Sequence, residues 1–511
     1  MEIHIKKLNE TYGKIIAPYE TLQMIMDRFA IPINNYWFNP LYKQMKYFCS
    51  NPLCDFNINA EMPLDKCPKC DSMLNLNRAW DGKIRFVQSS GNFKLGLFYK
   101  IKEYLKGYGI HWKIDKSLIE KGCTEDFAKI SKENFSNWES SPWEHQLRAA
   151  LKALTIKRGV IEHATGSGKS LVMALISNYL YRKNLVKKIL IVVPMKQLVE
   201  QLRMEFVEEY ECFSEDEVGI HYGKVKQLDR PITITTWQSI YKKKDFLREV
   251  DVLLLDECWQ AKAEMIKSIG DNATFAKYKL GFTGTMPTKD KVADNYLIEG
   301  TTGPIIDREK SDVLMQKDIL SKIKIYIHML NYPKINNKHN YHEERSFIES
   351  YKPRTDYIKD ITIKEQENGN VLLLAVKINH CKELFNTLSK STKNVYFIDG
   401  SISVKDREEI RHHVENSNNN IIVATVGTFA VGINIKKLHC VIFGAARKSK
   451  IQTLQSIGRG LRKHKSKNIL KLIDIADMLK YSKNHFKERL NYYTDENFDF
   501  EIIEDKLFNH Q

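Results

Sequence analysis

Short, nearly continuous apolar runs recur from Pro142 to about Asp477, separated by stretches of helical periodicity. Lys188-Ile-Leu-Ile-Val-Val-Pro194, Asp251-Val-Leu-Leu-Leu-Asp256, Val371-Leu-Leu-Leu374 and Asn420-Ile-Ile-Val-Ala-Thr425 are of this kind. Such runs, β-branched or leucine-rich and without polar alternation, predict strands buried on both faces, as in a parallel sheet between two layers of helices. Between them, Ser170 to Arg182 sets Leu171, Leu175, Tyr179 and Leu180 at helical spacing. The alternation predicts an α/β fold with two successive parallel-sheet units, residues 139–310 and 311–482, changing over somewhere near 300–325. The Asn- and Lys-rich stretch Asn331 to Asn340 reads as a loop inside the second unit. Residues 1–138 read as a separate small α+β module, and 483–511, with Asp495-Glu496 through Glu504-Asp505, as an acidic tail.

At 511 residues the chain exceeds one compact domain and suits roughly three. Hydrophobic residues at 43% and aromatics at 11% are enough to fill several cores, which excludes a disordered or fibrous chain. Lys plus Arg number 79 against 63 Asp plus Glu, a net charge of +16. That surplus fits a polyanion, nucleic acid before membrane, or else a generally basic background. No run of ~18 apolar residues appears, so no bilayer span is expected. The first residues, MEIHIKKLNE, carry charges where a secretory signal needs an apolar core. Nine cysteines cannot all pair, and five of them (Cys123, Cys212, Cys258, Cys381, Cys440) are scattered through apparent core. This is reduced usage, and a cytoplasmic location is expected.

His163-Ala-Thr-Gly-Ser-Gly-Lys-Ser170 follows the short strand Gly159-Val-Ile161 and opens a helix. This is the setting of a phosphate-binding loop made by Ala164, Thr165, Gly166, Ser167 and Gly168. Its glycines let backbone N–H groups converge on phosphate oxygens where a Cβ would obstruct them. The helix N-terminus adds partial positive charge. Lys169 would meet the β- and γ-phosphates of ATP and Ser170 would hold magnesium. The strict pattern asks for glycine at 163, so a chance glycine loop is the alternative, and the strand–loop–helix context argues against it.

Asp256-Glu257-Cys258-Trp259 ends the apolar run 251–255 and puts two carboxylates at the carboxyl edge of a sheet. Asp256 suits the magnesium shell and Glu257 the attacking water; a surface cap is the bland reading. Gln455-Ser-Ile-Gly-Arg-Gly-Leu-Arg462 sets Arg459 and Arg462 three apart, on one face if helical. Arginines aimed at a γ-phosphate from another domain stabilise the transition state; a solvated basic face is the alternative.

In this order the motifs resemble superfamily 2 helicases and translocases over residues 142 to about 475. The resemblance implies two RecA-like motor domains. Gln146, in Pro142-Trp-Glu-His-Gln146, resembles the glutamine that reads adenine. Pro194 in Val193-Pro194-Met-Lys-Gln197, and Thr236, Trp237 and Gln238 in Thr235-Thr-Trp-Gln-Ser239, resemble strand-contacting motifs. Phe282-Thr-Gly-Thr285 resembles the motif that couples hydrolysis to domain movement. Thr425 and Gly427, in Ala424-Thr-Val-Gly-Thr-Phe-Ala-Val-Gly-Ile433, resemble a fifth motif, and Gln455, Arg459 and Arg462 resemble a sixth that would complete the catalytic set. Within the superfamily, Asp256-Glu-Cys258, Lys448-Ser-Lys-Ile451 and Gly458-Arg-Gly-Leu-Arg-Lys463 are similar to phage branch-migration helicases, as are Phe38-Asn-Pro40 and Trp80-Asp-Gly-Lys-Ile-Arg85. The likeness implies replication forks, Holliday junctions and RNA–DNA hybrids such as R-loops as substrates, in recombination, repair or replication restart. Trp259 stands where that family has histidine, which bears on how hydrolysis is coupled to the second domain. Some forty residues split the two halves of the N-terminal signature.

That gap, about 47–75, contains Cys49, Cys54, Cys67 and Cys70. Two close pairs of thiolates suit one tetrahedral, structural zinc ion in a zinc-ribbon-like insert. The metal would supply folding energy that a short insert cannot draw from a core. Buried free thiols or a redox pair are the alternatives. Lys43, Lys46, Lys66, Lys69, Arg78, Lys83 and Arg85 interleave with Tyr42, Tyr47, Phe48 and Trp80. That mixture suits phosphate contacts with base stacking, or equally the aromatic core of a small module. The expected activity is therefore an ATP-dependent DNA motor. Its rivals are the motor subunit of a restriction system, an RNA helicase, and a zinc-containing nucleic-acid-binding protein with a vestigial ATPase.

Overall fold

Two parallel sheets form where the apolar runs predict them. The structure, a computed structural model of the chain, describes residues 3–33, 45–51, 53–60, 66–78, 81–122, 127–135, 141–259, 263–287, 291–332, 340–428, 435–444, 457–458, 460–461, 464, 467 and 469–505. Among these residues the first sheet has eight strands in the order Val225–Lys226, Val218–Tyr222, Ile232–Thr236, Ile189–Val193, Val252–Asp256, Tyr278–Thr283, Arg158–His163 and Ile305–Glu309. All its pairings are parallel except the edge hairpin of the first two. The second sheet has, among the described residues, seven strands, all parallel, in the order Val395–Ile398, Ile421–Thr425, Val371–Ala375, Cys440–Phe443, Ile469–Asp477, Lys322–Leu330 and Asp499–Asp505.

The central strands read as uninterrupted burial. Ile189–Val193 and Val371–Ala375 are buried at every position, because helices cover both faces. The helix Lys169–Arg182 has ten consecutive buried residues and lies in the core of the first sheet. In a parallel sheet every strand carboxyl end reaches the same edge. His163, Val193, Thr236, Asp256 and Thr283 thus end side by side on the first sheet, and Thr425 ends a strand of the second.

The N-terminal residues form an α+β arrangement of three small sheets. A four-stranded sheet, Asn92–Lys94, Tyr12–Ile16, Ile3–Lys7 and Trp112–Ile114, packs with the helices Tyr19–Arg28 and Phe98–Gly107. A separate three-stranded sheet, Asn57–Ala60, Met45–Cys49 and Leu74–Arg78, carries the cysteines. The larger part docks on the first motor sheet's helices. Tyr296 enters its core, Tyr12 donates to Asp271 at 2.8 Å, and buried Lys279 donates to the Thr11 hydroxyl at 2.6 Å.

The expected acidic tail is corrected. Ser482–Asp495 is a helix and Asp499–Asp505 is an edge strand of the second sheet, in register with Lys324–Leu330. The helix is pinned by a buried guanidinium: Arg489 donates twice to Asp474 at 2.8 Å, and Tyr493 donates to the same carboxylate at 2.9 Å. Asp499, Glu501 and Glu504 are exposed, which hides the strand's membership from a reading of charge.

Candidate ATPase site

Three strand ends assemble the site. After the strand Arg158–His163 the chain turns through Gly166 and Gly168, both at positive φ (88° and 79°), where side-chain-bearing residues are strained. Gly168 caps the helix that begins at Lys169. A Cβ on Gly168 would run into the Gln146 amide, so the turn can lie against that side chain only as glycine. The Lys169 ammonium donates to the carbonyl oxygens of His163 at 3.1 Å and Ala164 at 3.5 Å. The Ser170 hydroxyl lies 3.0 Å from that of Tyr210, whose own titration burial pushes well upward.

Gln146 sits beneath this loop. Its amide N–H donates to Ser167 O at 2.9 Å and its carbonyl accepts from the Trp143 backbone at 2.8 Å. The neighbouring His145 donates to the same Ser167 oxygen at 2.9 Å. In this conformation Gln146 fixes the loop, with both ends of its amide occupied within the chain. His163, where the strict pattern wants glycine, is fully buried with Nε2 2.7 Å from Asp307. Arg148 and Lys152 also donate to Asp307. Burial alone would raise that carboxyl, but the hydrogen bonds from His163, Arg148 and Lys152 outweigh it and hold Asp307 well below the carboxylate range. The loop's first residue is thereby tied to the last strand of the first sheet.

Asp256 ends the adjoining strand. Burial first and the Glu257 charge second push its carboxyl up to about 7, against the pull of the Lys169 ammonium. Glu257 has φ 44°, unusual for a residue with a Cβ, and this turn sends its side chain back toward Thr283. Its Oε2 accepts from the Trp259 indole at 2.9 Å and lies 3.3 Å from the Thr283 hydroxyl. Thr165 meets both other motifs. A Cβ on Gly284 would stand 3.1 Å from its hydroxyl, and one on Gly458 would stand 2.5 Å from its Cβ. Gly458 belongs to the second domain, so the sixth motif reaches the phosphate loop at this point.

Lys169, Ser170, Asp256 and Glu257 are thus gathered at one sheet edge with Gln146, Ala164, Thr165, Gly166, Ser167 and Gly168. Gln455, Arg459, Arg462, Lys448–Ile451, Phe38–Pro40, Tyr42, Lys43, Trp80 and Cys123 lie outside the described residues. Pro194, Thr236, Gln238, Thr425 and Gly427 all follow or end strands on the carboxyl edges of the two sheets. Gln238 is exposed, and a Cβ on Gly427 would meet nothing within 4 Å. Trp237 is a correction: only 2% exposed, it packs with Val160, Leu190 and Leu253 in the first core, so its ring is a structural anchor and not a nucleic-acid contact. Tyr210 and Asp307 carry no local motif that would have revealed them; they lie 40 and 144 residues from the groups they hold.

In the N-terminal insert, Cys49, Cys54, Cys67 and Cys70 place their sulfurs within 4.8 Å of one another. The pairs Cys49–Cys70 and Cys54–Cys67 are 3.3 and 3.8 Å apart. Tetrahedral zinc with bonds of about 2.3 Å requires sulfurs roughly 3.8 Å apart, so the donor set fits such an ion.

A phosphate loop, an Asp-Glu strand end and a sixth-motif glycine against the loop define a two-domain nucleotide motor. The family described as "Type III restriction enzyme, res subunit" matches residues 139–288, and "Helicase conserved C-terminal domain" matches 353–464. Residues 139–288 and 353–464 are thus superfamily 2 helicase domains, which support ATP-driven unwinding or translocation. It is 29% identical over 460 residues to the ATP-dependent DNA helicase uvsW of Enterobacteria phage T4, spanning 82% of this chain and 89% of that one. The crystal structure of T4 UvsW matches with TM-score 0.50 and 26% identity, covering 99% of this chain and all of that one. The helicase MrfA, solved bound to DNA, shares the fold at TM-score 0.56 and 14% identity, over 75% of this chain and 53% of its own. No helix among the described residues is long and apolar enough to cross a membrane.

Proposed function

We propose that the chain is an ATP-driven motor on branched DNA, moving forks, Holliday junctions or R-loops in recombination, repair or replication restart. The approach of Gly458 to Thr165 supports the motor reading most directly, because a helicase cleft needs its second domain at the phosphate loop. The DNA preference rests on the similarity to uvsW of phage T4, named a DNA helicase, and on the net charge of +16.

In this reading Lys169 and the loop backbone grip the triphosphate. Ser170 and Asp256 supply the hard oxygen donors that suit magnesium, which would neutralise charge developing on the phosphates. Glu257 orients a water whose oxygen attacks the γ-phosphorus. The bond to the bridging oxygen breaks, the water's proton passes to the Glu257 carboxylate, and ADP and phosphate leave. Arg459 and Arg462 would add cationic charge from the second domain as the cleft closes. Thr236, Gln238, Thr425 and Gly427 hold one strand at the sheet edges, while the N-terminal module, its four thiolates on zinc, engages the fork or junction.

Phosphate release measured with single strands, duplex, forked DNA and RNA at one stated salt concentration tests the proposal. Forked or junction DNA should stimulate most, and Glu257→Gln should lower turnover at least about a hundredfold. Stimulation by RNA alone would favour an RNA helicase, and no stimulation by any nucleic acid would remove the motor reading.

A further inference from the structure

We propose that Trp259 is a positioning residue for hydrolysis, its indole N–H fixing the Glu257 carboxylate that faces the attacking water. The inference rests on the reading of Glu257 as general base. Two donors approach Glu257 Oε2, and they are unequal. The Thr283 hydroxyl has one proton and two acceptors, Thr285 O at 2.9 Å and Glu257 Oε2 at 3.3 Å, so its bond is committed mainly to Thr285. The indole proton of Trp259 points to Oε2 at 2.9 Å.

The ring itself is held. It packs against the core cluster that contains Leu255, Cys258 and Val160. The intervening Cys258 is fully buried and its N–H donates to Phe282 O at 3.2 Å, which ties the turn to the strand bearing Thr283. A Glu257 backbone in the left-handed region needs such support to keep one side-chain direction. With Oε2 engaged, Oε1 is left to receive the proton from water. Indole is a donor only and does not titrate, so this hold is constant across neutral pH. A histidine at the same place would also donate, but would change charge near pH 6.5.

Trp259→Phe keeps an aromatic ring, smaller than indole, and removes the donor; Trp259→His restores a donor on a ring smaller still. Steady-state phosphate release with forked DNA is measured for both across pH 5.5–9, alongside Glu257→Gln and binding of a fluorescent ATP analogue. The expected result is a kcat about tenfold lower in Trp259→Phe with KM for ATP and analogue affinity unchanged. Trp259→His should recover most of that kcat and add a pH step near 6–7 to whatever pH dependence the wild type shows. A Trp259→Phe kcat within twofold of wild type overturns the inference. So does a Trp259→His enzyme as slow as Trp259→Phe at every pH, since that would mean ring packing alone matters. If Glu257→Gln itself turns over normally, the general-base reading fails first. If Glu257→Gln is inactive while Trp259→Phe is normal, only the role of Trp259 is lost.

Discussion

Thr165 carries more of the site than its place in the phosphate loop suggests. Gly284 and Gly458, from the two motifs that would sense and complete hydrolysis, both approach it closely enough that neither could bear a side chain unchanged. Thr165 is β-branched and sits in a tight turn, so it yields little to an intruding methyl. Gly458→Ala should therefore hold the domains apart by about an ångström and lower DNA-stimulated phosphate release about a hundredfold. Binding of a fluorescent ATP analogue should persist, because the loop and Lys169 belong to the first domain. Wild-type turnover in this variant would show that closure does not use the contact. At this scale the sequence was informative wherever residues lie in one motif: Lys169, Ser170, Asp256 and Glu257 are found by spacing. Tyr210, Asp307 and the burial of Trp237 depend on groups far away in the chain, and no local pattern encodes them.

Whole elements were legible to the extent that burial was uniform. The central strands, buried on both faces, announce themselves as apolar runs, and the helix after the phosphate loop follows from its spacing. The strand Asp499–Asp505 does not, since an edge position leaves it half solvated and its Asp and Glu residues look like a solvent-facing tail. The preceding helix is amphipathic only weakly, and its anchor is polar: Arg489, 1% exposed, against fully buried Asp474. Removing one partner of such a pair strands a charge in a dry environment, a cost of about 3–5 kcal/mol. Arg489→Met should lower the stability of the second motor domain by about that amount in urea unfolding, whereas simultaneous Arg489→Met and Asp474→Leu should recover a good part of it. A variant as stable as the wild type would mean that the helix is held by Phe486 and Tyr493 alone.

Over the whole molecule the question is how an insert with almost no core keeps its shape beside a large motor. Among its described residues Leu53 is 95% exposed, Met73 68% and Ile58 42%, while Tyr47 and Cys67 are buried. So little apolar burial cannot offset the entropy of ordering some thirty residues, whereas four converging thiolates bound to zinc would contribute folding energy directly. The phosphate loop, Asp256 and Glu257 stand on the first motor sheet, to which the insert's described residues contribute no strand. Loss of the metal should therefore uncouple the two functions. Cys67→Ser should release zinc, detected as a fall from one ion per chain by elemental analysis, and should weaken binding to forked DNA about tenfold at fixed salt. Phosphate release in the absence of DNA should stay at the wild-type rate. Equal zinc content in variant and wild type would remove the metal from the proposal. Loss of basal hydrolysis together with zinc would mean that the insert supports the motor itself, although its three-stranded sheet pairs only among its own strands.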